Sequence, residues 1–388
     1  MLRKLSFRTL AMLLAIVMMF SISVNATEAV PEGESVADVS AAKTVGVTGL
    51  DTVAEIFDDD FVGDMRDFGA ETTDTGLTES SIEMFAYIYA ANQAFDASFT
   101  IPETVSLQLE EISQLYSVSA KAEMSDFQIS SIDSDNERSL LTSNSWVDVN
   151  VNAYPHSAIF FLRPWLDNLE DGIIGEEDDL DDTGPGTGFM IAPDIMLTAA
   201  HNVYDRDTGR YMDGIRIYSK QTSGSEYSAE YSAMVAFVDK RYVTESSDSY
   251  AFNYDWALVL LDASVALDVN HQYLGIGTTV NDLDGLDISV AGYYDVNNSD
   301  PEDPPNNPVL YKQRVCHGEI DSCYDRTISY GMNTKAGQSG APVYNTYDGL
   351  SYAHGIHTKA GGEGTRITPV MYYFFCSKID DSMERWGY

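Results

Sequence analysis

Gly337-Gln338-Ser339-Gly340-Ala341-Pro342 sets one serine between glycines, and the reading of that serine decides the fold. A serine hydroxyl is a useful nucleophile when a base takes its proton and N–H donors await the oxyanion. A glycine two residues earlier lets two backbone N–H groups, those of Gly337 and Ser339, converge on one point. A plain Gly/Ser turn is the other reading of these six residues. Ala341 stands where a G-x-S-x-G elbow has its last glycine, so the strand-turn-helix of an α/β-hydrolase is not indicated.

Working outward, the chain from Tyr154 onward reads as short runs of β-branched and aromatic residues between turn signals. Strands are expected at Ser157 to Leu162, Thr187 to Ile191, Ile215 to Tyr218, Ala233 to Val238, Ala257 to Leu261, Ile288 to Ala291, Lys312 to His317 and Ala353 to His357. Such spacing argues for an all-β sandwich or barrel pair. One helix stands at the end, from Pro369 to about Asp380, with proline in its first turn.

Two further residues belong with the serine. Leu197-Thr198-Ala199-Ala200-His201 puts a histidine at a strand end behind small residues, and Asn253-Tyr254-Asp255-Trp256-Ala257-Leu258 puts an aspartate at the start of an apolar strand. Alone, such a histidine is usually structural and such an aspartate a cap. The order His201, Asp255, Ser339 is that of chymotrypsin.

From about Ile132 to Ile379 the sequence resembles the bacterial glutamyl endopeptidase branch of the chymotrypsin-like serine peptidases, the group of the staphylococcal V8 protease and similar Bacillus enzymes. The likeness is carried by Ala153-Tyr154-Pro155, Thr187-Gly188-Phe189-Met190-Ile191, the His201 and Asp255 segments, Gly337 to Val343, and Gly364-Thr365-Arg366-Ile367-Thr368. The resemblance implies two six-stranded antiparallel barrels, about 150–265 and about 270–368, followed by the helix at about 369–380. It implies a catalytic triad of His201, Asp255 and Ser339, and an oxyanion hole from Gly337 and Ser339. Thr334 and His357 match the residues that read a substrate glutamate in this branch, and His317 is a candidate support behind His357. The implied activity is cleavage of proteins or peptides after Glu, less readily after Asp, with no cofactor and no metal. Two other functions stay open: a serine endopeptidase of different specificity, and a catalytically silent binding protein on the same scaffold.

The first 130 residues lie outside that resemblance. Arg3, Lys4 and Arg8, an apolar run from Leu10 to Phe20 and Val24-Asn25-Ala26 read as a signal peptide over 1–26, which implies secretion and no membrane anchor once it is removed. Residues 27–130 are acidic and read as a pro-segment, an intramolecular partner of the protease domain at 131–388, with an acidic spacer as the alternative. Within it, Ser80 to Phe95 and Val105 to Tyr116 space apolar residues at three and four and are expected to be helices. Ile132 to Arg138 resembles the start of mature family members.

The chain of 388 residues is 44% hydrophobic, with a formal charge of −39. That charge argues against nucleic acid and anionic membranes as partners. From residue 131 onward lie 40 of the 61 acidic and 16 of the 22 basic residues, yet Lys335, Lys359 and Arg366 gather around the expected pocket. Of three cysteines, Cys316 and Cys323 are close enough in sequence for a small bridged loop, and all three also read as buried apolar groups. The carboxylates from Asp167 to Asp182 read as a solvated loop or a calcium site, and Asp300 to Pro308 as a stiff surface excursion.

Overall fold

The computed structural model describes residues 79–101, 115–117, 146–167, 180–182, 184–222, 226–265, 273–279, 283–295, 311–347 and 349–387. The expected signal peptide, the start near Ile132, the proline-rich excursion and most of the acidic loop and segment lie outside these residues.

In chain order the strands that position the site are β1 (Ser81–Ile88), β2 (Gln93–Thr100), β3 (Ile159–Asp167), β4 (Gly186–Ala192), β5 (Ile195–Thr198), β6 (Gly214–Ser219), β7 (Ala229–Asp239), β8 (Ala257–Leu261), β9 (Asp287–Asp295), β10 (Tyr311–Glu319), β11 (Pro342–Tyr347), β12 (Leu350–Lys359) and β13 (Glu363–Arg366). Helix α1 (Lys240–Thr244) follows β7, and α2 (Pro369–Trp386) ends the described chain. Each of the eight strands expected from Ser157 onward is present, most of them a few residues longer.

The first unit is a closed six-strand barrel in the order β6, β3, β4, β5, β8, β7, sealed by pairing of β7 with β6. Closure pairs Ala229–Ser232 of β7, and β1 covers the same edge from Val235 to Asp239. Strands β4, β5 and β8 are buried at every position, which is why they read as continuous apolar runs. The second unit is a sheet whose path includes β13, β12, β11, β9 and β10 in that order. The architecture is mostly β.

Residues Ser80 to Phe95 form strand β1, a turn and the start of β2, not a helix. Ile82, Phe85 and Ile88 suit a helix, but Ile82 and Met84 also alternate, and both are buried. A long-range partner decides: β1 pairs with β7, from Met84 opposite Asp239 to Ile88 opposite Val235. Asn92, at φ 49°, takes the left-handed conformation that turns the chain back into β2. Of the second expected helix, Leu115 and Tyr116 are described, in a short strand paired to Ile276–Thr278.

Helix α2 starts with Pro369 at its first turn and runs to Trp386, past the expected end at Asp380. Contacts beyond Asp380 hold the last turns: Ser382 Oγ bonds Asp194 Oδ1 at 2.5 Å, and Arg385 pairs with the same carboxylate. Phe375 meets Trp256 edge-on, with ring centroids 5.4 Å apart, so the helix braces the segment that carries Asp255. Among the described residues no disulfide joins the three cysteines; Cys316 is buried, and Cys323 and Cys376 are half-buried.

His354 on β12 is buried, with Nε2 3.0 Å from Asn345 Oδ1. Burial, and then the Arg366 charge, lower its pKa from 6.5 to about 4. Between those values an unfolded chain binds a proton that the folded one refuses, so this group makes stability fall as pH drops from 6.5 towards 4. His354→Gln should flatten the pH dependence of unfolding free energy by up to about 1.4 kcal/mol per pH unit in that window. Urea melts of both proteins at pH 7, 6 and 5 check this; parallel slopes would contradict it.

Candidate active site

His201 lies in a single 3₁₀ turn, Ala200–Asn202, directly after β5. Ala199 and Ala200 are fully buried, and their small side chains let the turn sit against the barrel. Asp255 lies at the end of another short turn, Phe252–Tyr254, just before β8. Because β5 and β8 are paired, with Thr198 opposite Ala257, the two residues meet at the same barrel end.

The Asp255 side chain is fully buried and divides its two oxygens between two tasks. Oδ1 accepts the His201 backbone N–H at 3.0 Å, and Oδ2 lies 2.7 Å from His201 Nδ1. The carboxylate assigns the proton to Nδ1, which leaves Nε2 as the basic nitrogen. Burial works against charging the ring, but the Asp255 charge and hydrogen bond outweigh it and raise the His201 pKa above 6.5. From the second sheet, Thr365 Oγ1 donates to the Asp255 carbonyl at 3.1 Å and fixes the loop.

Ser339 reaches this corner through its backbone. Its carbonyl accepts Thr187 N–H at 2.8 Å and Asn202 Nδ2 at 3.0 Å, so the residue after the histidine holds the serine directly. Thr187 Oγ1 donates to the Gly337 carbonyl at 2.8 Å and accepts from Tyr293 N–H at 2.9 Å, tying both units to the serine turn. Thr198 Oγ1 donates to Thr187 O and accepts from Asn202 Nδ2. Among the described residues, the N–H groups of Gly337 and Ser339 have no protein acceptor. Those two donors are the ones the sequence picks out for an oxyanion.

Two glycines make the turn possible. Gly337 has φ +99° and Gly340 φ +89°, both in the left-handed region. A Cβ on Gly340 would lie 2.0 Å from Thr187 O and 2.2 Å from Thr198 Oγ1, so the two units approach to backbone contact there.

Thr334 and His357 are both buried, and the turn at 361–363 connects them. Thr334 Oγ1 accepts Gly361 N–H at 3.1 Å, while the His357 ring places Nδ1 2.7 Å from Tyr330 Oη. Burial, then the His201 charge, lower the His357 pKa to about 3, so the ring is neutral at ordinary pH. Tyr330, not His317, backs the His357 ring; His317 bonds Ser289 Oγ at 2.8 Å. The neighbouring cations have partners of their own. Lys359 pairs with Glu363 at 2.9 Å, and Arg366 is buried, donating to the carbonyls of Tyr324 and Thr279. Lys335 stands half-buried beside Thr334.

The structure therefore brings the sequence candidates His201, Asp255, Ser339 and Gly337 to one corner, with His357 near enough for its ring to feel the His201 charge. The sequence alone assigns no role to Thr187, Thr198, Asn202 or Tyr330. The polar residues beside His201 and in the Thr187-Gly188 pair were the available signal. Among the described residues, no group of three or more His, Cys, Asp or Glu is arranged to hold a metal ion.

Residues 186–350 match the model of the trypsin-like peptidase domain family. The chain is 25% identical to a glutamyl endopeptidase of Bacillus licheniformis over 248 residues, which is 61% of this chain and 65% of that protein. It is 30% identical over 187 residues to a protein of Bacillus subtilis described as an extracellular metalloprotease, covering 47% of this chain and 54% of the relative. The chain thus spans less than two thirds of the length of either relative. A Glu endopeptidase solved in complex with MPD superposes with a TM-score of 0.48 at 18% identity, over 62% of this chain and 99% of that one.

The close approach at Gly340 gives a direct test. Gly340→Ala combines a forbidden contact with a strained φ and should lower the unfolding free energy by about 3 kcal/mol or more. Gly361, at φ +96° with open space where its Cβ would lie, supplies the control. Gly361→Ala should cost only about 1–2 kcal/mol. Equal losses in urea melts would contradict the close packing.

Proposed function

We propose, because residues 186–350 match the model of the trypsin-like peptidase domain family, that this chain is a secreted serine endopeptidase that cleaves after Glu, less readily after Asp. The observation that carries the reading is the Asp255 carboxylate held by both the backbone and the ring of His201, with the Ser339 carbonyl bonded to the next residue, Asn202. His201 Nε2 takes the Ser339 proton as the hydroxyl attacks the scissile carbonyl, and returns it to the leaving amine. Asp255 keeps the Nδ1–H tautomer and stabilises the imidazolium. The N–H groups of Gly337 and Ser339 receive the oxyanion. Water then hydrolyses the acyl-enzyme by the same steps in reverse roles.

Glutamate preference draws support from the Bacillus licheniformis relative and from Thr334 and His357 at the family's specificity positions. One observation favours the second reading, a serine endopeptidase of other specificity: Nδ1 of the buried His357 ring already lies 2.7 Å from Tyr330 Oη. Export, and removal of an acidic pro-segment with a mature start near Ile132, complete the proposal. The first rests on the leader-like residues 1–26, and the second on the composition of 27–130.

Ser339→Ala or His201→Ala should cut kcat on the order of a millionfold with folding retained, and Asp255→Asn on the order of ten-thousandfold. The base must be neutral to act, so the raised His201 pKa sets the loss of kcat/KM on acidification: the acid limb should lie above pH 6.5. A serine-directed covalent probe should label Ser339 stoichiometrically. An active Ser339→Ala variant would sink the assignment.

Specificity is tested separately. His357→Ala should lower kcat/KM for Glu substrates by about 30-fold to several thousandfold, the equivalent of about 2–5 kcal/mol for a desolvated charged contact, and leave Gln substrates far less affected. Equal losses on the two substrates would move the proposal to the second reading while leaving the triad standing.

A further inference from the structure

The hairpin of β1 and β2 belongs to the acidic segment by sequence and to the first barrel by structure. On one edge, β7 pairs with β6 only over Ala229–Ser232, and β1 takes over from Val235 to Asp239. The other edge of β7 is occupied by β8. Without β1, five residues of a core strand would present open N–H and C=O groups to solvent.

The side chains of the hairpin continue the same core. Ile82, Met84, Ala97 and Ile101 are each no more than 5% exposed and share one apolar cluster with Phe237, Trp256 and Phe374. Phe99 lies against Phe374 of α2, with ring centroids 5.6 Å apart, and Tyr87 stacks on Tyr211 at 4.2 Å.

Charges lock the register. Lys240 of α1 reaches Asp96 at 2.9 Å and Glu83 at 3.7 Å. Glu79, just before β1, bonds Arg241 at 2.5 Å and Arg326 at 3.0 Å, joining the barrel to the second sheet. Both guanidinium groups lie over the Tyr254 ring, 4.1 and 4.6 Å from its centroid, beside Asp255. The segment is acidic where the body offers cations, so the body recognises it by charge as well as by strand pairing.

We propose that residues 79–101 are a permanent strand partner of the catalytic body. When the chain is cut between the hairpin and the protease domain, the piece that carries the hairpin stays bound as a non-covalent subunit. The proposal rests on reading residues 27–130 as a segment cut from the body, and extends it: cleavage opens the chain without releasing this part.

The test uses the full chain with Ser339→Ala, which removes self-cleavage, and with a recognition site for a sequence-specific protease inserted after Ser131. Because the cut is supplied from outside, its outcome is independent of whether the peptidase reading holds. After cutting, native mass spectrometry and gel filtration should show the two pieces together at one-to-one stoichiometry, at the size of the uncut chain. In the same background, Glu79→Gln should speed loss of the small piece on dilution on the order of tenfold, through the weakened charged hydrogen bonds. Uncut Glu79→Gln chain, with an unchanged elution volume, controls for folding. Separation of the pieces in the parent protein, with the large piece retaining the melting temperature of the uncut chain, would overturn the proposal. So would an unchanged rate of loss with Glu79→Gln.

Discussion

The structure turns on one buried carboxylate. An ionised side chain removed from water is strongly unfavourable unless its acceptor sites are filled. Asp255 fills them with the N–H of His201 and with its ring. The same pair of contacts that makes the aspartate tolerable therefore fixes the imidazole in position and in tautomer. Burial and orientation are one requirement, and the alanines before His201, Trp256 behind the loop and Thr365 across the sheet boundary all serve it.

The two units meet through hydrogen bonds that converge on Thr187. Its N–H and hydroxyl hold Ser339 and Gly337, its hydroxyl also accepts from Tyr293, and its carbonyl receives Thr198. No side chain fits at position 340 because this seam is closed at the level of the backbone. Preorganisation of the serine is thus a property of the joint between the units, not of the six-residue turn that the sequence displays.

What could be read from sequence follows from the range of the interactions. The buried strands were legible because a run such as Ala257–Leu261 is apolar throughout, and His201 and Asp255 because they flank such runs. The hairpin was not: Ile82, Phe85 and Ile88 fit one period, Ile82 and Met84 another, and the tie is broken by a strand some 150 residues away. Helix α2 outran its expected end because Asp194, far earlier in the chain, binds Ser382 and Arg385. Tyr330 behind His357 and Asn202 on the serine carbonyl were illegible for the same reason: each acts on a residue that only the folded chain brings near.

The neutrality of His357 bears on the chemistry as well as on substrate choice. Its ring is near enough to His201 for the His201 charge to lower its pKa. In the proposed reaction His201 becomes a cation at the moment the serine attacks. A second imidazolium nearby would oppose that change and raise the barrier. By keeping His357 uncharged, its sealed surroundings leave the proposed transition state free of a competing positive charge, so a residue proposed to inspect the substrate adds no electrostatic drag to the step proposed to cut it.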